Sequence, residues 1–100
     1  MKHILIVEDD TTFAVMLQTW LSKKKFSVAS VSGIAAAKKT LIESSVDLVL
    51  CDLRLPDGDG IDLLEWVNNR NVNVPLIVMT SYAAIPSAVQ AMKLGARDYI

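Results

Sequence analysis

Two apolar runs in this chain stop on carboxylates. Ile4-Leu5-Ile6-Val7 is closed by Glu8-Asp9-Asp10, and Val49-Leu50-Cys51 is closed by Asp52. Short runs without polar alternation read as strands covered on both faces, as in a parallel sheet wrapped by helices. Such sheets bind ligands beyond the carboxyl ends of their strands. Two carboxylates about 4 Å apart at an effective dielectric near 20 repel by roughly 4 kcal/mol. A fold that gathers several of them must offset that repulsion, and a hard divalent cation with oxygen ligands is the simplest means. The sequence therefore points to a magnesium site beside an aspartate.

The remaining pattern alternates strands with amphipathic helices. After a first strand at about residues 3–7, Phe13, Met16, Leu17, Trp20 and Leu21 recur at helical spacing. Asp10, Thr11 or Thr12 can cap that helix, with Asp10 read as a cap. Residues 26–31 read as a second strand. Gly33 opens an alanine- and lysine-rich helix to about Glu43, with Ile34, Ala37 and Leu41 inward. A third strand over 47–51 delivers Asp52. Residues 53–60, with Pro56, Gly58 and Gly60, are a loop by composition. A third helix over 61–69 turns Leu63, Leu64 and Val67 inward. The fourth strand, 75–79, ends at Thr80. Pro86 and Gly95 suit the start and end of a fourth helix, and a fifth strand begins over 97–100. Met16, Trp20, Cys51, Met79 and Met92 are expected in the core, and Trp66 partly exposed. The result is (βα)4β, a parallel sheet with right-handed crossovers. Glu8, Asp9, Asp52 and Thr80 then share one edge.

One hundred residues, 52% of them apolar, suffice for one domain with its own core. A net charge of −1 shows no global bias toward nucleic acid or membranes. Lys23-Lys24-Lys25 reads as a solvated helix end that complements the dipole. The single cysteine excludes an intrachain disulfide and suits a reducing cytoplasm. The start Met1-Lys2-His3 lacks a signal peptide, and no apolar stretch reaches bilayer length. A cytoplasmic protein is expected, with no role for His3.

A carboxylate can attack phosphorus to give an aspartyl phosphate, a transfer that depends mainly on positioning and charge neutralisation. A hydroxyl such as Thr80 can donate to an incoming phosphoryl oxygen. The segments Ile4-Leu5-Ile6-Val7-Glu8-Asp9-Asp10, Leu50-Cys51-Asp52-Leu53-Arg54-Leu55-Pro56-Asp57-Gly58-Asp59-Gly60, Pro75-Leu76-Ile77-Val78-Met79-Thr80-Ser81 and Gly95-Ala96-Arg97-Asp98-Tyr99 carry a resemblance over the whole chain. It resembles the receiver domain of two-component response regulators, and is most similar to receivers of NtrC-like transcriptional activators. The resemblance implies a doubly wound, flavodoxin-like α/β fold with a five-stranded parallel sheet. It implies that Asp52 is the phosphoacceptor, charged by a sensor histidine kinase. Mg2+ would be held by Asp9, Asp52 and the backbone carbonyl of Arg54, with Glu8 acting through water. Thr80 would be the switch hydroxyl and Tyr99 the switch aromatic. Ser81 would leave room for the phosphoryl group, and Arg54 and Tyr82 would tune its lifetime. The kinase would meet the first helix. Homodimers would form through the fourth helix and fifth strand, and the domain itself would touch neither nucleic acid nor membrane. Beyond self-catalysed transfer and hydrolysis it would not be an enzyme.

The family's invariant lysine would fall at position 102 and its last helix beyond that, so a longer parent protein, truncated here, is expected. A degenerate receiver serving as an interaction module is the alternative. Aspartate-nucleophile phosphatases of the haloacid dehalogenase group place an acid two residues after the nucleophile, where this chain has Arg54. No phosphate-binding G-x-x-x-x-G-K-[ST] is present, and Arg54 and Pro56 stand where EF-hand ligands belong.

Overall fold

The computed structural model describes residues 2–70, 74–79 and 98–99. Its main sheet has five strands: β1 (His3–Val7), β2 (Ser27–Val31), β3 (Leu48–Asp52), β6 (Leu76–Met79) and β7 (Asp98–Tyr99). All neighbouring pairs are parallel, in the order β2-β1-β3-β6-β7. That order reverses direction between β1 and β3, the switch point of a doubly wound sheet. The helices are α1 (Thr11–Lys23), α2 (Ile34–Glu43) and α3 (Gly60–Asn69). Two further strands, β4 (Arg54–Leu55) and β5 (Gly58–Asp59), form a small antiparallel hairpin apart from the sheet.

The strand period of two divides the core into two layers. Leu5, Val7, Val49 and Cys51 face α2 and α3, packing with Ile34, Ala37, Ile61, Leu63, Leu64 and Val67. Ile4, Ile6 and Leu50 face the other way and pack with Leu21, Phe13 and Leu17 of α1. The uninterrupted apolar runs of β1 and β3 are thus explained, because both faces of each strand are covered.

Strand and helix bounds fall within a residue or two of those expected. Asp10 is the cap of α1, its Oδ1 accepting from Phe13 N at 3.1 Å. At the other end Lys25 adopts φ 70°, Phe26 N donates to Leu21 O, and Lys25 N to Ser22 O, which turns the chain sharply toward β2. Two expectations fail. Met16 and Trp20 are 59% and 57% exposed rather than in the core. The buried side of α1 is centred on Ala14 and Leu21, about one residue's rotation from the Phe13–Trp20 stripe. Small Ala14 lets the helix approach the sheet along that line, and Trp20 instead lies under Lys24, whose Nζ is 5.4 Å from the ring centroid. Residues 53–60, expected as plain loop, hold the β4–β5 hairpin with Pro56 and Asp57 at its turn. Trp66 is half-buried between Lys38 and Arg70, as its expected partial exposure allows. The fourth helix with Pro86 and Gly95, and Met92, lie outside the described residues.

Candidate functional site

The register of β1 on β3 builds the site. Val7 stands opposite Cys51, so Glu8 and Asp52 are neighbours one step further along. Asp9 follows as the chain leaves the sheet. One carboxylate oxygen each from Glu8, Asp9 and Asp52 lies within 4.8 Å of the others. Two strands far apart in sequence therefore deliver three hard oxygen donors to one spot, a donor set suited to magnesium or calcium. These residues fit a divalent cation on chemistry and on spacing.

The three are not equivalent. Glu8 is 8% exposed, whereas Asp9 is open to solvent and Asp52 half-buried. Glu8 Oε1 accepts from Asp10 N at 3.0 Å, and its own N–H donates to Val31 O at 3.0 Å, which ties the turn to β2. Burial pushes the Glu8 carboxyl from 4.5 up to about 7. The Asp10 N–H works against that rise, and the charges of Asp52 and Asp9 add to it. Asp52 is likewise raised, by burial first, while N–H groups of Arg54 and Leu53 hold it back. Burial lifts Cys51 to about 12, which leaves its thiol inert at neutral pH and agrees with a core role.

The raised Glu8 has a measurable consequence. Its folded-state affinity for a proton exceeds the unfolded one, so the associated stability is complete below about 4.5 and lost as pH rises through about 7. A full shift of that size corresponds to about 3 kcal/mol, and water reaching the site past Asp9 reduces this to about 1–2 kcal/mol. In EDTA, urea midpoints of the native chain should therefore fall relative to Glu8→Gln between pH 5 and 8. A constant gap across that range would rule out the strain.

The segment after Asp52 is tied down at several points. Gly60 N donates to Leu53 O at 2.8 Å. Asp59 caps α3, accepting from Ile61 N at 2.9 Å, and Asp62 accepts from Asp59 N in return. Asp57 accepts from Ile34 N at 2.8 Å and Ala35 N at 3.0 Å, at the start of α2. Nothing in a linear reading assigns Asp57 that contact. Arg54 is exposed, its main chain beside Asp52. Of the other expected site residues, Thr80 lies outside the described residues, as do Ser81 and Tyr82. The pairing of Asp52 with Met79 brings the end of β6 beside Asp52. Tyr99 lies in β7, opposite Val78.

Comparison with known proteins gives one answer. Residues 4–100 match the model of the response regulator receiver domain. The chain is 34% identical over 99 residues to the response regulator protein PilR of Pseudomonas aeruginosa. It is 37% identical over 97 residues to the transcriptional regulatory protein ZraR of Escherichia coli. It covers 99% and 97% of itself in these matches but spans only 22% of the length of either relative. The non-phosphorylated HemR receiver domain of Leptospira biflexa superposes with a TM-score of 0.91 at 33% identity, covering all of this chain and 81% of that one. No helix among the described residues is long and apolar enough to cross a membrane. The chain belongs to the family of response regulator receiver domains, the signal-accepting modules of two-component systems.

Proposed function

We propose that this receiver is a phosphorylation-dependent switch in which Asp52 accepts a phosphoryl group from a sensor histidine kinase. The observation that carries the reading is the convergence of Glu8, Asp9 and Asp52 at the switch point of the sheet. Asp9 and Asp52 would hold Mg2+ directly, together with the carbonyl of Arg54, and Glu8 would act through water. The bound cation would neutralise the carboxylates and the phosphoryl oxygens. One oxygen of Asp52 forms the new O–P bond as the P–N bond of a phosphohistidine breaks, and the imidazole leaves with the electron pair and takes up a proton. Thr80 would then donate to the phosphoryl group and Tyr99 would turn inward, a change passed to an output module of transcriptional type. Reaction is self-catalysed, with no turnover of other substrates. The buried, unreactive Cys51 suits a cytoplasmic setting, and the face of the fourth helix and fifth strand would pair two copies.

The test uses a chain extended past residue 102, so that the family's lysine is included. With magnesium and acetyl phosphate, intact mass should show one acid-stable, base-labile phosphoryl group. Magnesium at about a hundred times its dissociation constant should also raise unfolding stability by about 2.7 kcal/mol at pH 8. Absence of an adduct would point to a degenerate interaction module. Rapid release of phosphate from unrelated monoesters would point to a phosphatase.

A further inference from the structure

The start of α2 is capped from a distance. The first N–H groups of a helix need acceptors, and the N-cap residue here, Gly33, has no side chain to provide one. Asp57, 24 residues further along the chain, fills the gap with both carboxylate oxygens: Oδ1 on Ile34 N at 2.8 Å and Oδ2 on Ala35 N at 3.0 Å. The absence of a Cβ at Gly33 is what admits it, since a methyl carbon there would stand 2.7 Å from Oδ1 and 3.1 Å from Cγ. The fit is reciprocal, because Gly58 lies against Ile34, where an added Cβ would come within 2.8 Å of Cδ1.

Asp57 sits at the turn of the β4–β5 hairpin, two residues per strand. A hairpin of that size has little stability of its own. Its base is closed by Gly60 N on Leu53 O and by the Asp59–Asp62 capping box. Its tip is held by Asp57. Between base and tip lies Arg54, whose main chain faces Asp52.

We infer that Asp57 is a positioning residue, strapping the hairpin to α2 so that the main chain of Arg54 stays in place beside Asp52 and the cation. The inference rests on the reading of Asp9, Asp52 and the Arg54 carbonyl as metal ligands. The N–H groups of Ala35 and Ile34 hold the Asp57 carboxyl below its ordinary range, so the strap is anionic at neutral pH.

The experiment separates strapping from simple helix capping. Asp57→Ala removes both. Adding Gly33→Ser in that background returns a local hydroxyl cap to α2, in space that the Asp57 carboxylate had occupied, but leaves the hairpin tip free. Asp57→Ala should melt several degrees lower in EDTA, and the double variant should recover most of that loss. Calorimetric Mg2+ affinity should fall about tenfold in both variants, as for other residues that support metal ligands. Amide exchange at Gly60 in EDTA should speed up about tenfold in both. Recovery of affinity and of exchange protection together with melting temperature would reduce Asp57 to a helix cap and overturn the inference. Unchanged exchange in Asp57→Ala would overturn it as well, whether or not Mg2+ binds. If the unsubstituted chain fails to bind Mg2+ while exchange still responds, the strap stands and the metal reading alone fails.

Discussion

Asp52→Asn should abolish phosphoryl adduct formation while making the folded chain more stable in magnesium-free buffer at pH 8. The first effect is chemical. An amide oxygen is a poor nucleophile toward phosphorus, and no other described carboxylate combines the strand-end position of Asp52 with N–H contacts from Leu53 and Arg54. Adduct measured by intact mass should drop at least about a hundredfold. The second effect follows from charge. Asp52 forms a cluster with Glu8 and Asp9 in which one carboxylate oxygen of each lies within 4.8 Å of the others. Coulomb repulsion there has a ceiling of roughly 4 kcal/mol for a pair at an effective dielectric near 20. Solvent at Asp9 screens part of it, and the N–H bonds to Asp52 weaken by about 1 kcal/mol when the acceptor becomes neutral. A net gain of about 1 kcal/mol remains, readable as a higher urea midpoint in EDTA. A lower midpoint would mean that hydrogen bonding outweighs repulsion, and the case for a cation offsetting stored charge would fail.

How much of this could be read from residues alone depends on how local the cause is. The strands were legible because Ile4–Val7 and Val49–Cys51 are apolar at every position, and Glu8 and Asp52 mark where the apolar runs stop. The meeting of Glu8, Asp9 and Asp52 followed from topology, since parallel strands in this order put their carboxyl ends on one edge. What sequence reasoning missed is set by distant neighbours. Met16 and Trp20 share a stripe with Phe13, Leu17 and Leu21, but the close approach allowed by Ala14 decides which side of that stripe is buried. Asp57 within Pro56-Asp57-Gly58 reads as a turn residue, and the bare N-cap at Gly33 that it serves is 24 positions upstream. The unequal burial of Glu8 and Asp9 likewise appears only once β2 is in place, because the Glu8 N–H bonds to Val31.

Gly60→Ala is expected to destabilise the domain and to impair the site, although helix propensity alone argues for the opposite. Gly60 is the first residue of α3, and alanine in a helix is favoured over glycine by up to about 1 kcal/mol. A Cβ at this position, however, would collide with the main-chain oxygen of Asp52 and stand 3.1 Å from Leu53 Cα and 3.2 Å from the Asp52 carbonyl carbon. None of these is the free end of a side chain that could swing away. Leu53 is 1% exposed and Cys51 1% exposed, so the strand cannot retreat without disturbing the core. Overpacking against fixed backbone typically costs about 1–3 kcal/mol, so the clash outweighs propensity by up to about 2 kcal/mol. The relief available to the chain is to open the Gly60 N–Leu53 O contact, which carries Asp52 and Arg54 away from Glu8 and Asp9. Gly60→Ala should therefore lower the urea midpoint and weaken Mg2+ binding together. A variant more stable than the parent, with Mg2+ affinity intact, would show that the β3–α3 junction is slack, and that Gly60 is not what brings β3 and the third helix so close.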